Sequence, residues 1–239
     1  IHVYDGGIGA PKLCADCRRQ AKSHRARSAA GHEAAREPPS NVLGGPHLVL
    51  AHARGHDELV AKVSRLALHL GGIPFEDVRP NREAFMTMKR SGELPYGQLP
   101  VLDVDGVRIA QSVSIARFCG QVSGLYPKDN LVDQARVDEL LDTCTQLTHI
   151  LGSSMSIKDA DEKLRARQKL GTKVLPKWLG YLENRLNQNH TSDYFVGDQL
   201  SVADLAIWRI LGWFTGGILD GIPTDLLDAH PQLSAHYKR

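Results

Sequence analysis

GQLPVLDVDGVRIAQSVSIARF, residues 97–118, sets a strand proline, a tight turn and a polar helix start in immediate succession. Leu99 precedes Pro100, and the proline ring pushes the residue before it toward extended geometry. If that bond is cis, the Leu99 N–H and C=O turn away from the sheet and can pair with an extended ligand as an added strand. Asp105-Gly106 separates two alternating apolar runs, Leu99 to Val104 and Val107 to Ala110, which is the signature of a β-hairpin. A helix follows at once. Ser112 is its predicted N-cap with Gln111 just outside, so the free N–H groups of the first turn, aided by the helix dipole, form a place for a carboxylate.

Outward from this unit the chain divides into two kinds of text. VSRLALHLGG, from Val63, is an apolar helix ending at paired glycines, and FEDVRP is a short strand closed by Pro80. Residues 82 to 90 make a short polar helix or turn. After SGLYPKDN the strand signals stop, and a helical domain begins. There Val137, Leu140, Leu141, Cys144, Leu147 and Leu151 recur at helical spacing as one inward stripe. A second helix is expected over 159–187, bent by Pro176. QLSVADLAIW has Ser201 as cap, Asp204 at the third position of a capping box, and Leu200 with Leu205 as a hydrophobic staple. HPQLSAHYKR starts a last helix.

Composition limits the function. A chain of 239 residues buries a sizeable core in one or two domains, and its formal charge of +2 is too small to make nucleic-acid binding the main task. The sequence offers neither a membrane span nor a signal peptide, so a soluble cytoplasmic protein with no membrane partner is expected. Four cysteines do not make a disulfide scaffold, and Cys119 and Cys144 read as small buried hydrophobes.

The apolar-Pro strand, the acidic-Gly turn and the Gln-Ser pair opening a helix resemble the glutathione site of the glutathione transferases. The detail of PYGQLPVL and QSVSIARF is most similar to the sigma class, which includes glutathione-dependent prostaglandin D synthases. The resemblance implies an α/β thioredoxin-like N-terminal domain followed by an all-α C-terminal domain. It implies glutathione as co-substrate, with the backbone of Leu99, ahead of Pro100, pairing with the cysteinyl part. Gln111 and Ser112 would hold the γ-glutamyl carboxylate, Gln98 would sit beside the peptide, and Lys89 would reach the glycyl carboxylate. Phe85 would replace a more usual tryptophan. It also implies a detoxifying homodimer whose second substrate is a small hydrophobic electrophile. Conjugation, peroxide reduction and prostaglandin isomerisation all use the same thiolate. A family member that binds without catalysis is the alternative.

The family opens with a strand and a catalytic tyrosine. IHVYDGGIGAPK, residues 1–12, alternates as a strand and turns at glycines, and joined directly to VSRLALHLGG it runs along the family pattern. The expectation is therefore a glutathione-binding domain made of residues 1–12 and 63–123, with Tyr4 as the donor to the glutathione sulfur. Residues 13–62 would be a disordered insertion, and the helical domain of residues 130–239 would be truncated at its end. The competing alignment takes HLVLAHARG, residues 47–55, as the first strand, which places Leu50 in the tyrosine position and makes the next helix about a turn too long. Within 13–62, Cys14 and Cys17 form a CxxC that reads as a redox pair, as half of a zinc site with His24 and His32, or as two incidental cysteines. No metal is expected.

Overall fold

The structure is a computed structural model that describes residues 46–53 and 58–239. The first element among the described residues is the strand β1, Leu48–Ala51, followed by helix α1, Glu58–Leu70, strand β2, Glu76–Val78, and helix α2, Arg82–Arg90. The hairpin is β3, Val101–Val104, and β4, Val107–Ala110; helix α3, Ser112–Val122, closes this half. Helices α4, Leu131–Met155, α5, Ala160–Lys169, α6, Leu175–Asn187, α7, Val202–Thr215, and α8, Pro231–Lys238, make up the rest. This is the thioredoxin-like layer and the helical half that the sequence implies.

The sheet order is β2-β1-β3-β4, with β1 parallel to β2 and antiparallel to β3. At the hairpin Val104 faces Val107 across the turn, where Asp105 and Gly106 both take positive φ, 50° and 84°, as a two-residue hairpin turn requires. Asp105 also fixes the start of β1. Its carboxylate accepts from the His47 N–H at 2.8 Å, and its own N–H donates to the His47 carbonyl at 3.1 Å.

The position of β1 corrects the expected first strand. The slot between β2 and β3, expected for residues 1–12, is filled by LVLA, residues 48–51. The physical reason is two-sided burial: a strand between two others with helices on its faces needs apolar side chains on both. Leu48 and Leu50 enter the main core with Leu68, Leu102 and Ile115, while Ala51 packs on the opposite face with Leu94 and Val101. Residues 58–62 likewise are no insertion, because they form the first turns of α1. Residues 1–45 and 54–57 lie outside the described residues, and with them Tyr4, Cys14, Cys17, His24 and His32.

Elsewhere the local chemistry explains the elements. Asn81 caps α2 by accepting from the Ala84 N–H at 2.9 Å, and Asn130 and Asp159 cap α4 and α5 in the same way. The bend expected at Pro176 takes the form of a π-turn over Leu170–Val174, directly before α6, with the proline inside the first turn of α6 where its missing N–H costs least. The buried Asp204 carboxylate accepts from the Ser201 N–H and hydroxyl, at 2.8 and 2.7 Å, and from the Phe195 N–H at 2.9 Å. The two halves are clamped by Asp138 of α4, which takes hydrogen bonds from Arg117 Nε at 2.6 Å and from the Tyr126 hydroxyl at 3.0 Å. Among the described residues no helix is long and apolar enough to cross a membrane.

Candidate active site

The hairpin and its flanks set the site. The Leu99–Pro100 bond is cis, and no backbone partner for the Leu99 N–H or C=O occurs among the described residues. Val101, two residues on, already pairs with Ala110 in the hairpin and with Ala51 of β1. Leu99 is therefore held beside the sheet with its hydrogen-bonding groups open to a ligand, while Pro100 is buried beneath it.

At the far end of β4 the chain enters α3 through Gln111, whose φ is 72° and ψ 120°. This moves the predicted cap by one residue: Gln111 is the N-cap, and Ser112 is the first helical residue. The sharp reversal at Gln111 lets α3 start directly from the strand. No side chain caps the helix, so its first N–H groups stay available. Gln111 adopts a conformation that L-residues seldom take, a strain worth about 1–3 kcal/mol.

Gln98, Leu99, Gln111 and Ser112 line one cleft of about 440 Å³, whose other wall is built from α4 and α7 through Leu141, Cys144, Thr148 and Arg209. A second cleft of about 670 Å³ shares Gln98 and Leu99 and continues to Ala53, Asn81 and Phe85. Lys89 stands one turn beyond Phe85, and its stem lies along Gly97: a Cβ built there would come within 3.3 Å of Lys89 Cε. Gly97, with φ of 63°, leaves room for that stem. Every predicted site residue among the described ones therefore falls in or beside two adjoining clefts along the Leu99 edge.

The sequence reading missed Ala53, Asn81 and the α7 side of the cleft. The signal for the last was present as a charged residue, Arg209, inside the otherwise apolar run Leu205–Phe214 of α7. Cys144 borders the cleft but is no nucleophile: burial pushes its thiol up to about 12, as it does that of Cys119. Leu50 is fully buried at the centre of β1 and offers the site no hydrogen-bond donor.

Residues 146–239 match the family described as glutathione S-transferase, C-terminal domain. Glutathione S-transferase 2 of Caenorhabditis elegans is 32% identical over 151 residues, covering 62% of this chain and 79% of the relative. Hematopoietic prostaglandin D synthase of Gallus gallus is 30% identical over 175 residues, 73% of this chain and 81% of that protein. Among solved structures, prostaglandin synthase D of Nilaparvata lugens aligns with a TM-score of 0.69 at 26% identity, covering 81% of this chain and 91% of the other. The monomeric glutathione S-transferase Na-GST-3 of Necator americanus aligns at 0.66 and 28%, over 80% and 90%. A single chain that unites this open Leu99 edge, this uncapped helix start and these relatives belongs to the glutathione S-transferase family.

Proposed function

We propose that this chain is a sigma-like glutathione transferase that lays glutathione along the Leu99 edge and presents its thiol to an electrophile in the cleft beside α4 and α7. The convergence of Gln98, Leu99, Gln111 and Ser112 on one cleft carries the reading. Leu99 pairs with the cysteinyl backbone as an added strand, and Pro100 keeps it in that pose. Gln111, Ser112 and the free N–H groups of α3 hold the γ-glutamyl carboxylate at the positive end of the helix dipole. Lys89 takes the glycyl carboxylate, Gln98 borders the peptide, and Phe85 forms a wall.

The enzyme must supply a thiolate. Lowering the thiol pKa by two units needs about 2.7 kcal/mol of preference for the charged form, within reach of one aimed donor and a nearby helix start. The resemblance gives that role to Tyr4 on the reading of residues 1–12 as the first strand, and replacing Tyr4 by Phe tests whether it reaches the sulfur: a rise of about two units in the pKa of bound glutathione, followed by thiolate absorbance, assigns it the role, and no change removes it. Leu50 favours a second reading, a member that binds glutathione without activating it, because an alkyl group stands in the first strand of the sheet. The likeness to prostaglandin D synthases keeps isomerisation among the reactions one thiolate can serve. A cytoplasmic homodimer that detoxifies small hydrophobic electrophiles is the setting we propose.

Retention on immobilised glutathione is the first test. The double variant Gln111→Ala, Ser112→Ala should lose retention while keeping its far-ultraviolet circular dichroism, and full retention by the folded variant refutes the site. Conjugation of a generic aromatic halide above the uncatalysed rate decides for the transferase, and retention without conjugation decides for the second reading.

A further inference from the structure

The cleft wall facing the glutathione residues is not simply apolar. Arg209 of α7 lines it with only 8% of its surface exposed, and burial pulls its guanidinium below the ordinary value without removing the charge. Its one hydrogen bond among the described residues goes from Nη2 to the Thr148 hydroxyl at 3.0 Å, and its guanidinium carbon lies 5.9 Å from the ring centre of Trp213. No carboxylate is paired with it among the described residues. Thr148 does not neutralise it, because the hydroxyl is an uncharged acceptor whose own proton goes to the Cys144 carbonyl at 2.8 Å. Asp142 and His149 also border the cleft, but both are exposed side chains of α4.

A buried guanidinium with five donors and one neutral acceptor is costly to keep, and the usual remedy is a bidentate oxyanion. Here the place for that anion is the cleft itself. We propose that the acceptor taken by this enzyme is an electrophile carrying a carboxylate, which Arg209 binds as a fork while the reactive carbon faces the glutathione sulfur. This rests on the glutathione reading above and narrows it, because the second substrate is acidic rather than merely hydrophobic. With 4-chloro-3-nitrobenzoate, for example, the glutathione sulfur bonds to the chlorine-bearing ring carbon. Chloride then leaves with the carbon–chlorine electron pair, and the carboxylate stays on Arg209.

The test uses the two S-aryl conjugates of glutathione made from 4-chloro-3-nitrobenzoate and from its methyl ester, which differ by one charge at the same position. Calorimetric titration of the full chain should find the acid conjugate bound at least tenfold tighter than the ester conjugate. Arg209→Gln should reduce that ratio to below twofold with glutathione affinity unchanged, and Arg209→Lys should restore part of it. Equal affinities in the unmodified protein overturn the proposal without any variant, even if Arg209→Gln fails to fold. A fall in glutathione affinity matching the fall for the acid conjugate also overturns it, since Arg209 would then be serving glutathione itself. Failure of the protein to bind glutathione or either conjugate removes the glutathione reading, and this proposal with it.

Discussion

Leu50→Ala separates the two ways of placing the first strand. If residues 13–62 were a loop excursion, a leucine within it would be solvated and its loss would shift stability by no more than about 0.5 kcal/mol. In the structure Leu50 is fully buried, faces Leu102 of β3 and Asp77 of β2, and packs into the main core. It sits in a strand bonded on both sides, so neighbouring backbone cannot easily collapse into the space. Truncation at such a site costs about 2–5 kcal/mol, and a value near 3 kcal/mol is expected here. For a chain of this size that lowers the melting temperature by about 6–12 °C. Urea unfolding followed by tryptophan fluorescence should show a lower midpoint with an unchanged slope. A loss below about 1 kcal/mol would refute the placement of β1 and return the first strand to the residues before it.

Two further outcomes follow from other residues. Gln111→Gly removes the strain at a φ of 72° and should raise stability by about 1 kcal/mol in denaturant titration, while lowering retention on immobilised glutathione. Asp77 is pushed up by burial, but hydrogen bonds from Arg79 and His52 and the charge of Arg65 outweigh this and hold its pKa below the ordinary value. A depressed carboxyl pKa stabilises the folded state above the unfolded value and loses that contribution as pH falls through the folded one. Below about pH 4 the protein should therefore lose stability more steeply than Asp77→Asn, and parallel acid limbs would contradict this.

Much of the fold was legible because its signals are local. Asp105-Gly106, the Ser201–Asp204 box and the leucine stripe of α4 each declare themselves within a few residues, and each became the element expected. The first strand did not, because residues 1–12 and 47–53 both read as short apolar stretches before the same helix. What separates them is the demand of a slot between β2 and β3 for apolar groups on both faces, and that demand exists only once the sheet is assembled. The continuous run LVLA, rather than strict alternation, was the available clue. The Leu99 edge was legible from Pro100 and the helix start. Arg209 was not, because helical spacing assigns it to a face of α7 but leaves open what that face borders.

The sheet order also guards the chain against pairing with other copies through its sheet. With β1 and β3 inside, the outer strands among the described residues are β2 and β4, only three and four residues long. Each is guarded by charge: Glu76 and Asp77 stand on one, and on the other Arg108 reaches Asp103 at 3.4 Å and Glu93 at 3.8 Å. A foreign strand docking at either edge would gain few backbone bonds while placing its side chains beside fixed charges, so ribbon growth through the sheet is discouraged at both ends.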